Sequence, residues 1–455
     1  MVPSPFNGRP ALLGLLLVIP WGDTWVQAMA PGTDPAARGP FTPQRQAFSI
    51  PGTGGANLSA DVYYPRHATG GVEAAAAPCP VLVLGHGFSQ AKEQHVNQGL
   101  HWASRGYVAI IPSFNGGSDH SRNADDLVRC IDWMVARHAD PASIFHQRMR
   151  LDRVGATGHS AGGLSAIVAA SRDGRIRAVA PMDPVDNGGL GTAALANLAV
   201  PVAITYSEPS SCNASGSAAT LYGAATGRKR GIKIIGANHS DPQDPVSFLS
   251  GLTCGSANTN RQALYRRYVT GWFDYYLKGE AAAAPWVFPL PGSAVAADRA
   301  ANRITYAETP PASPMAEWRS IHFWGAETAG APEADPDGDG LPNLVEYGLG
   351  LDPWSPARTG LPRPAAVQTN NNRFLALTFT RVMLATDLSY MVETSSNLLQ
   401  WAAGSTYAGT NSPADSGLTT EVSRAGTGLE SVTVRDLTPA GTATPRFLRL
   451  RLQSR

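Results

Sequence analysis

Short hydrophobic runs separated by amphipathic stretches fill more than half of the 455-residue chain. The runs are four to six residues long and largely apolar, a pattern typical of strands that helices bury on both faces. The pattern predicts an α/β domain with a mostly parallel central sheet over residues 41–283. Two earlier runs, 47–50 and 58–64, predict a strand pair joined by a glycine-rich turn. The internal strands are predicted at residues 81–84, 107–111, 154–157, 178–182, 202–206 and 232–235.

Helical periodicity occupies the stretches between these strands. Asn123 is a residue type that caps helix N-termini, and Asp125 and Asp126 would suit the helix dipole in the first turn. A later helix carries an aromatic stripe that we expect to pack in the core. The predicted helices span residues 97–105, 123–137, 160–171 and 261–278.

The pattern changes again after the last of these helices, where Ala, Pro and Gly dominate. Residues 284–332 predict a linker, partly packed on the first domain, in which 303–306 and 320–323 could form isolated strands. Alternating β-rich runs then predict a small all-β sandwich over residues 362–455. Its strands are predicted at residues 374–380, 388–393, 431–435 and 446–452.

The charge of the chain is nearly balanced, with 36 Lys and Arg against 35 Asp and Glu. This balance gives no electrostatic reason to expect nucleic acid as a partner. Arg9, the apolar stretch 11–19 and the small residues Ala28 and Ala30 form the parts of a signal peptide, and we expect removal of residues 1–28. No other stretch is apolar and long enough to cross a bilayer. The protein is therefore expected to be secreted or at the cell surface, extracellular or periplasmic, with no transmembrane segment in the mature chain.

Four cysteines, Cys79, Cys130, Cys212 and Cys254, predict two disulfides in an oxidising compartment. Three pairings are open on sequence grounds. We expect Cys212 to pair with Cys254, because both lie in loops that flank His239, and Cys79 to pair with Cys130 by elimination. Because the sequence contains no Cys-x-x-Cys pair, a zinc or redox role is disfavoured.

The motif with the most specific chemistry is Gly158-His159-Ser160-Ala161-Gly162. An apolar run precedes it and a stretch of small residues that favours a helix follows it. This is the strand, turn and helix context of a nucleophile elbow, in which the glycines permit a strained turn that lifts the serine hydroxyl off the end of a strand. We therefore predict Ser160 as a nucleophile.

A serine nucleophile needs a general base, and the base needs an acid to orient it. In a fold with this elbow the chain order is Ser, acid, His. His239 lies downstream of Ser160, directly after a predicted strand, and is the expected base. Asp183, the first residue after its strand, is the preferred acid, while Glu208 and Asp186 remain alternatives.

An oxyanion hole needs two converging N–H donors. Ala161 follows the serine and supplies one of them. The second is expected from the loop Gly85-His86-Gly87-Phe88-Ser89, in which Phe88 is the best candidate. We expect His86 to tie this loop by a hydrogen bond and to have no role in the chemistry.

Four segments together resemble the α/β-hydrolase branch that contains chlorophyllases, platelet-activating-factor acetylhydrolases and dienelactone-hydrolase-like esterases. In that branch the acid follows the strand after the nucleophile helix, which favours Asp183. Polyester hydrolases and cutinases are similar too, but their acid usually follows the later strand, which fits Glu208. The similarity covers residues 48–277, and it carries no particular substrate because Ala161 stands where the branch often has Arg, Met or Phe. The segments are Gly85-His86-Gly87-Phe88, Gly158-His159-Ser160-Ala161-Gly162-Gly163, Met182-Asp183-Pro184-Val185-Asp186 and Gly236-Ala237-Asn238-His239-Ser240-Asp241.

A second motif, at residues 335–346, is independent of the first and matches the twelve-position calcium loop. The repeat, expected over residues 333–354, resembles the single calcium repeats of dockerins and thrombospondin type 3 modules. We expect a structural calcium ion there that stiffens the junction between the two domains and has no part in catalysis. The predicted ligands are Asp335, Asp337, Asp339, the carbonyl of Leu341, Asn343 and Glu346.

These features predict a secreted serine carboxylic-ester hydrolase that acts through Ser160, His239 and Asp183 and an acyl-enzyme intermediate. The chemistry needs no cofactor, and the substrate is a small-molecule or polymeric ester. The enzymatic alternatives are a polyester or cutinase-like hydrolase and a serine peptidase or amidase on the same fold. An alternative of another class is an inactive surface-binding or adhesion protein. The C-terminal domain could contact carbohydrate or the cell surface.

Overall fold

The computed structural model describes residues 33–455 except 312, 325, 327, 357–358, 412, 414–415 and 442–443. The described chain forms two compact units. The first unit holds residues 33–289 and 294–310, and the second holds residues 290–293 and 311–455. The predicted signal peptide, residues 1–28, lies outside the described residues.

A single nine-stranded sheet organises the first unit. Its strands are β1 (Pro43–Pro51), β2 (Asn57–Pro65), β3 (Cys79–Gly85), β4 (Val108–Pro112), β5 (Met149–His159), β6 (Ile176–Met182), β7 (Val202–Tyr206), β8 (Lys229–Ile234) and β9 (Ile304–Thr309). Their order across the sheet is β1-β2-β4-β3-β5-β6-β7-β8-β9. Strands β3 to β8 pair in parallel, whereas β1, β2 and β9 pair antiparallel with their neighbours. The six expected internal strands are all present, so the prediction of a mostly parallel sheet is confirmed.

Helices connect these strands in the alternating order that the sequence predicts. Every residue of β3 and β4 is buried, which requires side chains packed on both faces of the sheet at these strands. Within the described part of the chain, no helix combines the length and the apolar character needed to span a bilayer. The helices of the first unit are α1 (Val96–Ser104), α2 (His120–Ala139), α3 (Ala161–Arg172), α4 (Leu190–Leu195), α5 (Ser217–Ala224), α6 (Phe248–Cys254), α7 (Thr259–Tyr276) and α8 (Ala294–Ala300).

Helix α2 begins about one turn earlier than predicted. Asp119 is its N-cap, and the Asp119 carboxylate accepts a hydrogen bond from the N–H of Arg122 at 2.9 Å. Asn123 lies inside the helix, where it is buried and its side-chain amide donates to the Gly117 carbonyl at 3.1 Å. The prediction that Asn123 caps the helix is wrong, because Asp119 offers the same capping chemistry one turn upstream.

The stretch expected as a linker, 284–332, contains part of the central sheet. Strand β9 pairs with β8 along its whole length, from Ile304 opposite Ile234 to Thr309 opposite Lys229. Only Ile304 of β9 is buried, because the strand lies at the edge of the sheet. One buried side chain gives a weak hydrophobic pattern, which explains why the sequence indicated only an isolated strand here.

The prediction of a strand at residues 320–323 is wrong, because helix α9 (Pro314–His322), in the second unit, covers most of this stretch. Ser313 caps the helix by accepting a hydrogen bond from the N–H of Ala316 at 3.2 Å, and Pro314 stands in its first turn. Ser followed by Pro is a helix-start signal that outweighs the short apolar run.

The second unit contains two antiparallel sheets that share one hydrophobic core. The four predicted strands are present as β11, β12, β15 and β16, whereas β10, β13 and β14 were not expected because Ala, Ser and Thr dominate much of their sequence. This arrangement is compatible with the predicted sandwich. Its elements are α10 (Asn343–Leu349), β10 (Arg363–Thr369), β11 (Asn372–Val382), β12 (Leu388–Ser395), β13 (Ala402–Ala408), β14 (Thr419–Ala425), β15 (Leu429–Pro439) and β16 (Phe447–Ser454). The sheets have the orders β10-β11-β15-β14 and β13-β12-β16.

The structure contains the expected disulfide between Cys212 and Cys254. The second expected disulfide is wrong, because Cys79 on β3 and Cys130 on α2 are free and fully buried in the core of the first unit. Burial raises the pKa of the Cys79 thiol to about 12 and also raises that of Cys130. Both residues act as small apolar side chains in the core. The sequence-based pairing was wrong because it assumed that every cysteine forms a disulfide.

Candidate active site

The predicted elbow forms a sharp turn between β5 and α3. Ser160 has φ 56° and ψ −122°, a left-handed conformation that is strained for any residue except glycine. A side chain at Gly158 or Gly162 would overlap the backbone, because a Cβ atom at these positions would meet the carbonyl oxygens of Gly162 and Gly85 respectively. The glycines of the motif are therefore required for the close contact between α3 and the ends of β3 and β5.

Two hydrogen bonds link the three residues that the sequence singled out. His239 Nε2 lies 2.9 Å from Ser160 Oγ, and His239 Nδ1 lies 2.6 Å from Asp183 Oδ2. All three side chains are buried, and that of Asp183 is fully excluded from solvent. The arrangement can pass a proton from the serine hydroxyl to the imidazole while the carboxylate holds the other ring nitrogen.

Asp183 is held by a set of donors that the sequence did not predict. The Ser207 N–H donates to Asp183 Oδ1 at 3.1 Å, and the Ser207 hydroxyl donates to Oδ2. Asn213 Nδ2 reaches the same Oδ2 at 3.3 Å. These donors offset the cost of burying the carboxylate and fix its orientation toward His239. The only sequence signal for Ser207 was its place directly after β7.

The loop after β3 places Phe88 beside Ala161 on a cavity of about 150 Å³. Phe114 and His86 line the same cavity. The Phe114 N–H donates to His86 Nε2 at 3.0 Å, which leaves Nδ1, 2.9 Å from the Gly87 carbonyl, as the protonated nitrogen. An imidazole that accepts a hydrogen bond at Nε2 and donates one at Nδ1 must be neutral. Burial lowers the pKa of His86, which favours this neutral form. His86 therefore ties the loop, as the sequence predicted.

Comparison with known protein families gives one match. Residues 29–252 match the family model described as PET hydrolase-like. The first unit contains an α/β-hydrolase domain. The match spans just under half of the chain and includes the elbow, the loop of Phe88 and the turn of His239, so it points to an ester-hydrolysing enzyme. No curated protein matches the chain.

The two alternative acids have other partners in the α/β-hydrolase domain. Glu208 forms an ion pair with Lys233 at 2.9 Å and accepts a hydrogen bond from the Gly236 N–H at 3.1 Å. Burial raises the pKa of Glu208, but these two interactions outweigh burial and lower it overall. Asp186 accepts hydrogen bonds from Gly191 and Thr192 at the start of α4. Of the three candidate acids, Asp183 is the one that the structure places within hydrogen-bond distance of His239 among the described residues.

Two further histidines lie behind the base, and the sequence did not identify a role for them. The His159 ring packs 4.6 Å from the His239 ring, and the His95 ring lies 6.1 Å from that of His159. Burial lowers the pKa of His95 to about 3 and that of His159 well below its ordinary value. Both rings are therefore neutral near pH 7 and pack behind His239 as uncharged side chains.

The disulfide joins the loop that holds the candidate acid to helix α6, which follows the turn of the candidate base. Cys212 is adjacent to Asn213, and Cys254 is the last residue of α6. Helix α6 presents Phe248, Leu249 and Leu252 to solvent, with 87%, 66% and 73% of their surface exposed. The domain thus carries an apolar surface on the helix that follows the His239 turn.

Exchange of the acid for its amide tests the role of Asp183. We expect Asp183→Asn to lower kcat about 10⁴-fold, because the amide cannot stabilise the imidazolium or fix its tautomer. Glu208→Gln is the matched control and should change kcat by less than about tenfold, because it removes only an ion pair with Lys233. Steady-state kinetics on a soluble ester measure both effects. A larger loss from Glu208→Gln than from Asp183→Asn would reverse the assignment.

Proposed function

We propose that the α/β-hydrolase domain is a serine carboxylic-ester hydrolase. The observation that carries this proposal is the hydrogen-bonded series Ser160, His239 and Asp183 at a strained elbow. The match to the PET hydrolase-like family supports ester hydrolysis as the reaction. No cofactor is needed for this chemistry.

The first half of the reaction forms an acyl-enzyme. His239 Nε2 takes the proton of Ser160 as Oγ attacks the ester carbonyl carbon, and the carbonyl oxygen becomes an oxyanion. The N–H groups of Phe88 and Ala161 stabilise that oxyanion. The C–O bond to the alcohol then breaks, and His239 gives its proton to the departing alkoxide.

The second half releases the acid. A water molecule loses a proton to His239 and attacks the acyl carbon, and the new tetrahedral intermediate expels Ser160 Oγ, which regains its proton from His239. Throughout both halves, Asp183 accepts the Nδ1 hydrogen bond and stabilises the imidazolium. A charge-assisted hydrogen bond in a buried site is stronger than its equivalent in water, so Asp183 contributes most while His239 is charged.

Labelling with a fluorophosphonate probe tests the serine hydrolase function. We expect the folded protein to be labelled once, at Ser160, and Ser160→Ala to remain unlabelled. Short-chain nitrophenyl esters should be hydrolysed, while peptides should not be cleaved. Labelling together with peptide turnover would favour a peptidase or amidase. Failure of the folded protein to label would favour the inactive binding protein and refute the enzyme.

A polyester is the substrate class that the exposed face of α6 favours. Phe248, Leu249 and Leu252 provide an apolar surface on the helix that follows the His239 turn, and Phe88 is also exposed, with 57% of its surface accessible. A soluble small ester would fit the cavity beside Phe88 without needing that surface. A hydrophobic chain longer than the cavity could instead bury part of it.

Replacement of both Leu249 and Leu252 by Ser tests whether the substrate is a polyester or a soluble small ester. On a polyester film we expect release of product to fall about tenfold, because apolar contact with the film is lost. On a soluble nitrophenyl ester, kcat and KM should change less than twofold. Ile144→Ser is the matched control, because Ile144 is exposed near the opposite end of β5 from Ser160. Equal losses on film and soluble ester, or no loss on film, would contradict the polymer proposal.

We further propose that the protein is exported. The signal-peptide pattern over residues 1–28 and the disulfide between Cys212 and Cys254 support an oxidising compartment. We expect the exported protein to have the intact mass of a chain that begins at Met29. Alkylation of the denatured protein should modify two cysteines before reduction and four after it. Retention of residues 1–28, or modification of all four cysteines without reduction, would contradict export with an oxidised disulfide.

A further inference from the structure

The loop before α10 gathers carboxylates around a compact backbone. Asp335, Asp337 and Asp339 each bring one oxygen to within 4.8 Å of the others. The backbone is turned by two glycines with positive φ, Gly338 at 74° and Gly340 at 90°. Three carboxylates this close repel one another. The acidic cluster alone does not identify a binding site, since such clusters are common on protein surfaces.

A buried carboxylate on α10 supplies a second, independent observation. Glu346 is only 1% exposed to solvent, and its Oε2 atom has no hydrogen-bond partner among the residues that the structure describes. Leaving a carboxylate oxygen buried and unsatisfied is costly, because desolvation is not compensated. A cation at this position would remove the penalty.

Asn343 presents a second unsatisfied oxygen in the same loop. Its side-chain Nδ2 donates to the carbonyls of Ala329 and Ala331, at 2.7 Å each, which determines the orientation of the amide. The other end of the amide, Oδ1, is buried and has no hydrogen-bond partner in the described part of the chain. Amide and carboxylate oxygens are hard ligands, so the unsatisfied groups have the chemistry that calcium prefers.

We propose that residues 335–346 bind one Ca²⁺ ion through Asp335, Asp337, Asp339, the Leu341 carbonyl, Asn343 and Glu346. The spacing of these residues follows the order of ligands in a twelve-position calcium loop, with Gly340 at the turn. Calcium accepts more ligands and a more flexible geometry than magnesium, so this set favours Ca²⁺ over Mg²⁺. The site does not depend on the proposed esterase function.

Calcium binding would stabilise the second unit through α10. Leu344, Tyr347 and Leu349 of this helix belong to the hydrophobic core of that unit, beside residues of both sheets. Glu346 lies on the same short helix, so an ion that binds its carboxylate also fixes the helix that packs on the sheets. The expected effect is therefore on stability of the second unit and not on the chemistry at Ser160.

Calcium titration of the full chain, after removal of metals with EDTA, tests the proposal. By isothermal titration calorimetry we expect one Ca²⁺ bound per chain. By differential scanning calorimetry, the transition of the second unit should rise by roughly 5–10 °C when Ca²⁺ exceeds its Kd about a hundredfold. Mg²⁺ at the same concentration should raise it less. Absence of both a binding heat and a shift would overturn the proposal.

Glu346→Gln is the most informative variant, because it keeps the shape of the side chain and removes its charge. We expect it to abolish the calcium-dependent shift and, without calcium, to melt above the unsubstituted protein, because no buried carboxylate remains uncompensated. Glu333→Gln removes an exposed carboxylate just before the loop and should keep the full shift. A calcium response of Glu346→Gln equal to that of the unsubstituted protein would overturn the proposal.

A second variant keeps the test decisive if Glu346→Gln fails to fold. Asp335 is exposed, so Asp335→Asn should fold and should bind Ca²⁺ at least about tenfold more weakly. Unchanged affinity would count against the ligand set. Ester hydrolysis measured in the same samples should not vary with calcium, so failure of the calcium site can be told apart from failure of the esterase proposal.

Discussion

The close approach of three glycine backbones is the constraint on which the candidate active site depends. Gly85 ends β3, while Gly158 and Gly162 flank Ser160, and none of the three can carry a side chain without overlap. Because α3 is pressed onto the sheet in this way, Ser160 keeps its strained φ. The Ser160 N–H donates to the Met182 carbonyl, at 3.1 Å, which also holds the turn in place. Tertiary contacts thus maintain a conformation that the isolated chain would avoid.

Two buried carboxylates, one in each unit, differ in how the cost of their desolvation is compensated. Asp183 is fully buried and accepts hydrogen bonds from Ser207, Asn213 and His239, so its charge is compensated within the protein. Glu346 is almost as buried, but no described residue donates a hydrogen bond to its Oε2 atom. A compensated carboxylate of this kind suits the proposed role of Asp183, whereas the proposed Ca²⁺ ion would compensate the carboxylate of Glu346. Burial alone would not distinguish these two roles.

Much of the fold could be predicted because its signals are local. The six internal strands are continuous apolar runs, and the elbow has its own glycine spacing, so Ser160 and the order of elements followed from sequence. The cap of α2 was missed because Asp119 and Asn123 offer the same local capping signal one turn apart. The pairing of β9 and the state of Cys79, by contrast, depend on tertiary neighbours that no local pattern encodes. The same holds for Ser207, which approaches Asp183 only because β6 and β7 are adjacent in the sheet.

That adjacency also explains how a chain that matches the PET hydrolase-like family model can place its candidate acid after β6. Strands β6, β7 and β8 lie side by side, and the turn of His239 follows β8, so side chains from the ends of β6 and β7 can both approach the base. In this chain the residue directly after β7 is Ser207, whose hydroxyl donates to Asp183. Glu208, one residue later, turns instead to Lys233. A one-residue step along an extended chain reverses the side-chain direction, so the position relative to the strand end, and not the presence of a carboxylate, determines which side chains lie beside Asp183 and His239.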